Sequence, residues 1–324
     1  MKVDLGIVHA PIWEGQAKTG VAFGPTELEK RGLYQMFFDN GFNYKVFKPR
    51  EEMKTSLTLK ESRFEEKPVH TAQDYDEYLE AKYKNVHDLM LDAFDESKMP
   101  ILLGGDHSAA ISSVSALLKK FPKAGILWID AHADINTFET SPTGNIHGMP
   151  VAALTGIISR QDLFSGDWTC DFLDPKQIVY LGIRDLDPGE RQVIKDKNIL
   201  AYSSDDLKKI PMKDIFNSIE NHFNEFGFDQ GVHVSFDIDG LTEELVPCTG
   251  TPVPQGIELK TLELLIQTIN ERFDLTSVDC VEFNPRKTDS EEDILKTYNS
   301  IQVFFRTLLL NPSFVVDRHI FKKV

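Results

Sequence analysis

The stretch Asp130-Ala131-His132-Ala133-Asp134-Ile135-Asn136 follows directly on an apolar run, Ala124-Gly125-Ile126-Leu127-Trp128-Ile129. A continuous apolar run of this length reads as a buried strand. Alternate side chains of an extended chain share a face, so Asp130, His132 and Asp134 can point one way at the strand's exit. Buried carboxylates are costly unless paired or metal-bound. Three such groups are therefore a poor device for stabilising a fold and a good one for holding a divalent cation.

Outward from this strand, strand patterns recur at Val3–Val8, Tyr44–Phe47, Ile101–Leu103, Ile178–Leu181, Leu200–Tyr202, Val232–Phe236 and Ser277–Phe283. Helical patterns alternate with them: 25–38, 71–96, 109–121, 149–154, 188–196, 214–226, 259–273 and 291–310. The alternation predicts an α/β protein, a mostly parallel sheet with helices on both faces in three αβα layers. No repeat, low-complexity tract or linker divides the 324 residues, so residues 1–324 read as a single domain. The highly charged, aperiodic segment from Lys48 to His70 reads as a surface loop.

Composition narrows the partners. A net charge of −16 with pI near 5.0 argues against nucleic acid, whose phosphates would be repelled, and against an anionic membrane surface. It suits a cationic small molecule. The first strand is too short, and too interrupted by Asp4, to be a signal peptide. No run approaches the ~20 apolar residues of a membrane span, so a cytoplasmic location is expected. Cys170, Cys248 and Cys280 form no paired motif and read as small buried residues.

Chemically rich residues cluster at strand ends: His107, Asp130 to Asp134, Asp185 to Glu190, Asp237 with Asp239, and Glu282. Ligands of open parallel sheets gather outside the carboxyl ends of the strands, so these distant segments can share one crevice. The metal-ligand inventory is His107, Asp130, His132, Asp134, Asp237 and Asp239. Two cations sharing carboxylates would use all of them, and metals ~3.5–4 Å apart lower the pKa of a shared water toward neutrality. Local alternatives exist: Asp106 or Ser108 as a helix cap, and Asp237-Ile238-Asp239-Gly240 as a turn.

Four blocks resemble the signatures of the arginase/agmatinase (ureohydrolase) family. They are Gly104-Gly105-Asp106-His107-Ser108, Asp130 to Asn136, Gly144-Asn145-Ile146-His147-Gly148-Met149-Pro150 and Ser235-Phe236-Asp237-Ile238-Asp239-Gly240-Leu241. The likeness runs from Gly20 to near the C-terminus. It implies an eight-stranded arginase-like fold and two Mn2+ ions, although carboxylate and imidazole ligands alone admit Fe, Co or Zn. One ion would be held by His107, Asp130, Asp134 and Asp237, the other by Asp130, His132, Asp237 and Asp239.

The resemblance also assigns roles around the metals. Thr251 and Glu282 match guanidinium-binding positions, Glu282 having an ordinary ion pair with Arg286 as its alternative. Asn136, Ser141 and Thr143 match donors to the substrate α-carboxylate, or are turn residues. Asp187 and Glu190 match acidic groups around the α-ammonium, and would also cap the helix that Pro188 opens. Asp134 would relay a proton to the leaving amine, and His147 would exchange it with solvent. The implied reaction is Mn-dependent hydrolysis of L-arginine to L-ornithine and urea, by hydroxide bridging the metals. Agmatinase, guanidinobutyrase, formimidoylglutamase or a catalytically silent metal-binding homologue are the alternatives. A homo-oligomer, trimer or hexamer, is implied, but Lys260 and Thr261 replace the Arg-Glu pair of trimeric arginases. Gln255-Gly256 stands where the family has a glycine pair, and Leu241 lacks its usual Asp-Pro successor.

Overall fold

In the computed structural model, residues 2–49, 72–159, 163–164, 168–169 and 172–310 are described. The expectations for residues 50–70 and for Cys170 fall outside them. The strands are β1 (Val3–Ala10), β2 (Tyr44–Phe47), β3 (Ser97–Gly104), β4 (Gly125–Ile129), β5 (Ile178–Ile183), β6 (Leu200–Ser203), β7 (Val232–Asp237) and β8 (Leu275–Val281). The helices are α1 (Gly24–Lys30), α2 (Leu33–Asp39), α3 (Ala72–Glu96), α4 (Ala110–Lys120), α5 (Pro150–Leu154), α6 (Pro188–Lys197), α7 (Ser204–Lys209), α8 (Met212–Phe226), α9 (Leu259–Arg272) and α10 (Glu291–Leu310). The eight strands form one sheet in the order β2-β1-β3-β8-β7-β4-β5-β6, and every neighbouring pair is parallel.

Both faces of the sheet are covered, which is why its strands read as unbroken apolar runs. Along β4, Leu127 and Ile129 enter a core shared with Phe37, Phe216, Leu265 and Phe304. Ile126 and Trp128 enter the opposite core, with Tyr83, Val114 and Leu117. Each such fully buried side chain contributes about 1.5–3 kcal/mol. Helices α1, α2, α8, α9 and α10 form the first layer, and α3, α4, α5 and α6 the second.

Three expectations are revised. The helix expected over 25–38 is two helices, because Gly32 takes φ +90° and ends the first. Strand β3 begins at Ser97, directly after α3. Pro100 sits in β3 without disrupting it, since β8 pairs with β3 only from Ile101 onward. Helix α7 was not expected, although Ser203 and Asp206 form the capping box that announces it.

Candidate metal centre

Strands β4 and β7 are hydrogen-bonded neighbours whose onward connections leave in opposite directions, to β5 and to β8. That is the switch point at which α/β sheets bind ligands. The register sets Ile129 beside Phe236 and Asp237 beside Val281. Asp130, Asp237 and Glu282 therefore leave the sheet at nearly one level. From the β3 side comes Gly105, whose amide donates to Ala10 O at 2.8 Å. A Cβ on Gly105 would lie 1.7 Å from Ile12 O, so only glycine lets the chain turn here and deliver Asp106 and His107.

The six expected ligands converge. His107 Nδ1 lies 2.9 Å from Asp130 Oδ2, 3.0 Å from Asp134 Oδ2 and 3.4 Å from Asp237 Oδ2. His132 Nδ1 lies 3.4 Å from Asp130 Oδ1 and 3.2 Å from Asp239 Oδ2. Asp130 thus gives one oxygen to each group. His107, Asp130 and Asp134 form one cluster that could hold a metal ion, and Asp130, His132 and Asp239 another. Outer contacts set the orientation. Ser235 Oγ binds His107 Nε2 at 2.9 Å, leaving Nδ1 for the cage. Trp128 stacks on the His107 ring with centroids 4.1 Å apart and donates Nε1–H to Asp130 at 3.0 Å. Thr251 donates its hydroxyl to Asp239 at 2.9 Å.

The donor set fits divalent cations. His107 Nδ1 and Asp134 Oδ2 are buried and make no hydrogen bond, although only 3.0 Å separates them. Both residues belong to a group whose ligand atoms lie close enough together to share one ion. Burial and the neighbouring Asp130 push the Asp134 carboxyl up to about 6. Burial and carboxylate crowding raise Asp237 and Asp239 as well. Burial opposes charge on Asp130 too, but the imidazoles of His107 and His132 outweigh it and hold its carboxyl low. Crowded buried acids of this kind are what a cation relieves. The turn readings hold alongside: Asp106 accepts from Ser108 N at 3.0 Å and Asp237 from Asp239 N at 2.8 Å.

Glu282 is buried beside the cage. It accepts from Gln16 Nε2 at 2.9 and 2.8 Å and from His107 N at 3.1 Å, and meets His147 Nδ1 at 3.3 Å. No pairing of Glu282 with Arg286 occurs; that guanidinium stacks on Phe23 at 3.2 Å. Glu282 takes φ +67° and Asp134 φ +54°. Left-handed backbone costs a non-glycine residue about 1–3 kcal/mol and collects at functional sites.

Of the expected substrate residues, Asn136, Asp187 and Glu190 are linked by hydrogen bonds, and Ser141 and Thr143 lie farther along the loop after Asn136. Asn136 Nδ2 donates to Asp187 Oδ2 at 2.8 Å. Glu190 is buried, its oxygens accepting from Ile135 N at 3.2 Å and Asp187 N at 2.9 Å. Burial lifts its carboxyl to about 7. Ser141 accepts from Gly144 N at 3.0 Å, and Thr143 is exposed beside it.

Sequence reasoning missed the roles of Gln16, Trp128, Ser235 and Arg184, each of which has at least one partner distant in the chain. Arg184 donates to the carbonyls of Gly182, Asp239, Gly240, Leu241, Val253 and Pro254 at 2.8–3.2 Å. It ties the end of β5 to the turn carrying Asp239 and to the loop after Thr251. Arg184→Ala, which strands these carbonyls, is expected to cost about 3 kcal/mol. Chemical denaturation checks this, and a loss below ~1 kcal/mol would contradict the role.

Fold and cage together define the class: an α/β protein with two adjoining candidate metal sites at the carboxyl ends of a parallel sheet. The arginase-family model matches residues 3–301. An arginase of Staphylococcus aureus (strain COL) is 32% identical over 306 residues, 94% of this chain and 98% of that protein. An arginase of Saccharomyces cerevisiae is 36% identical over 295 residues, 87% of each chain. The crystal structure of Entamoeba histolytica arginase in complex with L-ornithine superposes with TM-score 0.76 at 31% identity, covering 94% of this chain and 99% of that one. The chain belongs to the arginase family.

Proposed function

We propose that the chain hydrolyses L-arginine to L-ornithine and urea with two Mn2+ ions as cofactors. The observation that carries this reading is the sharing of Asp130 between two imidazole–carboxylate clusters, one buried and one with only His132 partly exposed. The arginase relatives and the ornithine complex of the Entamoeba histolytica enzyme support the substrate. His107, Asp130, Asp134 and Asp237 would hold one ion, and Asp130, His132, Asp237 and Asp239 the other. Bound, the ions make water acidic enough to act as a nucleophile near neutral pH.

The chain's own residues do the rest. Glu282 accepts the substrate guanidinium and sets its carbon against the cage. Thr251 lines the same position. Asn136, Ser141 and Thr143 receive the α-carboxylate. Asp187, fixed by its bond to Asn136 and by the Glu190 cap, faces the α-ammonium. The departing amine needs a proton, because an amide anion is too basic to leave. Asp134 holds that proton beside the cage, and His147, on Glu282 and half-buried, exchanges protons with solvent. Urea and ornithine assays of Mn-loaded protein on arginine and agmatine test the reading. Arginine is expected to be turned over faster. Faster agmatine hydrolysis would overturn the carboxylate subsite, and background rates on every guanidine would overturn the activity.

His147 carries a pH signature. Burial opposes its charge, but Glu282 outweighs burial and raises it to about 9, from an ordinary 6.5. A raised folded-state pKa gives stability that is complete below about 6.5 and lost as pH climbs through about 9. In metal-free protein, denaturation midpoints of wild type and His147→Asn are expected to differ at pH 6 and to converge by pH 10. A gap constant with pH would contradict the pairing.

A further inference from the structure

We infer that Gln16 is the positioning residue of the substrate-binding carboxylate Glu282, and that the buried Glu14–Lys82 ion pair locks the Gln16 loop in place. The inference rests on the assignment of the guanidinium to Glu282 made above.

Gln16 lies in the loop between β1 and α1, and is 4% exposed. Its Nε2 reaches both Glu282 oxygens, at 2.9 and 2.8 Å. An amide is a neutral donor. It fixes the plane of the carboxylate without adding a second cation to the imidazole that His147 already brings to it. A lysine or arginine there would cancel the carboxylate's charge and compete with the guanidinium.

The loop is tied down at successive residues. Glu14 accepts from Lys82 of α3 at 2.7 and 2.9 Å, with side chains 0% and 4% exposed. Its Oε2 also accepts from Trp13 N at 3.0 Å. Gly15 N donates to Asp106 Oδ2 at 2.9 Å, and His147 N donates to Gly15 O at 3.0 Å. A Cβ on Gly15 would sit 2.7 Å from both Asp106 Oδ1 and Ser108 Oγ. One short loop thus touches Glu282, the His147 segment and the turn that delivers His107. Lys82 reaches across from α3 to Glu14, two residues before Gln16, and so anchors the loop without entering the Glu282 site. An interior ion pair is a weak stabiliser against an apolar alternative, so its use here is to fix geometry.

Gln16→Met keeps the length and removes the donor. It is expected to lower kcat/KM for arginine about 10–100-fold, the cost of a misplaced reacting group. Bound Mn per chain and the melting temperature are expected to match wild type. Gln16→Lys is expected to raise KM further. In a double-mutant cycle, Gln16→Met is expected to have little effect in a Glu282→Gln background. Lys82→Met alone takes the cation from the buried Glu14 carboxylate and is expected to destabilise the protein. Lys82→Met with Glu14→Gln is expected to recover stability but not KM. Crystal structures of wild type and Gln16→Met give a readout independent of turnover, the Glu282 carboxylate being expected to rotate in the variant. Unchanged kinetics with an unmoved carboxylate would overturn the inference. A wild type inactive on every guanidine, with the carboxylate rotating in Gln16→Met, would instead refute the assigned reaction and leave the positioning role standing.

Discussion

An Asp130→Asn variant is expected to lose bound metal and, with it, essentially all urea release. Asp130 is fully buried, and its two oxygens serve His107 and His132 separately. Asparagine has nearly the same shape but offers one neutral acceptor and no charge. It would remove the anion common to both sites from a cage of crowded acids. Loss of an outer partner of a metal ligand costs about 10–100-fold in affinity; loss of a shared ligand should exceed that at both sites. Metal content by mass spectrometry after equilibrium dialysis decides the matter, with far-ultraviolet circular dichroism as the control for folding. A variant that keeps two Mn per chain would refute the bridging role.

Glu282→Gln is expected to behave differently, keeping its metals and losing the substrate's orientation. The carboxylate can make two charge-assisted hydrogen bonds to a guanidinium, each worth about 1.5–3 kcal/mol. With 1.36 kcal/mol per decade, their loss predicts a fall in kcat/KM of about 10²–10⁴-fold. The amide introduced by this substitution would also meet the amide of Gln16 donor to donor, so the new side chain would have to turn. Normal Mn content with this loss would separate recognition from metal binding. Retained activity would move the guanidinium site elsewhere.

The ligands were legible because a period of two puts alternate residues on one face, and because acids and imidazoles at apolar strand exits have few structural uses. Strand β4 and its Asp130–Asp134 exit were readable within a dozen residues. The partners of those groups were not. Gln16 meets Glu282 across 266 positions, and no local pattern marks a neutral amide as an anchor. Gly32 was read through because an isolated glycine costs a helix only about 1 kcal/mol. The left-handed backbone of Glu282 carried no signal, since glutamate is not a residue that adopts it readily.

Strands β7 and β8, last in the chain, occupy the middle of the sheet. Until residues 232–281 have been synthesised, the native pairings open to the earlier strands fall into two separate groups, β2-β1-β3 and β4-β5-β6, each with an open inner edge. His107 follows one and Asp130 the other, and the two strands that set the spacing between them in the finished sheet are still missing. Asp237 and Asp239 come with those last strands, so the full set of six converging side chains is complete only once they have inserted. Those unpaired edges are also the places where a stalled or truncated product would aggregate.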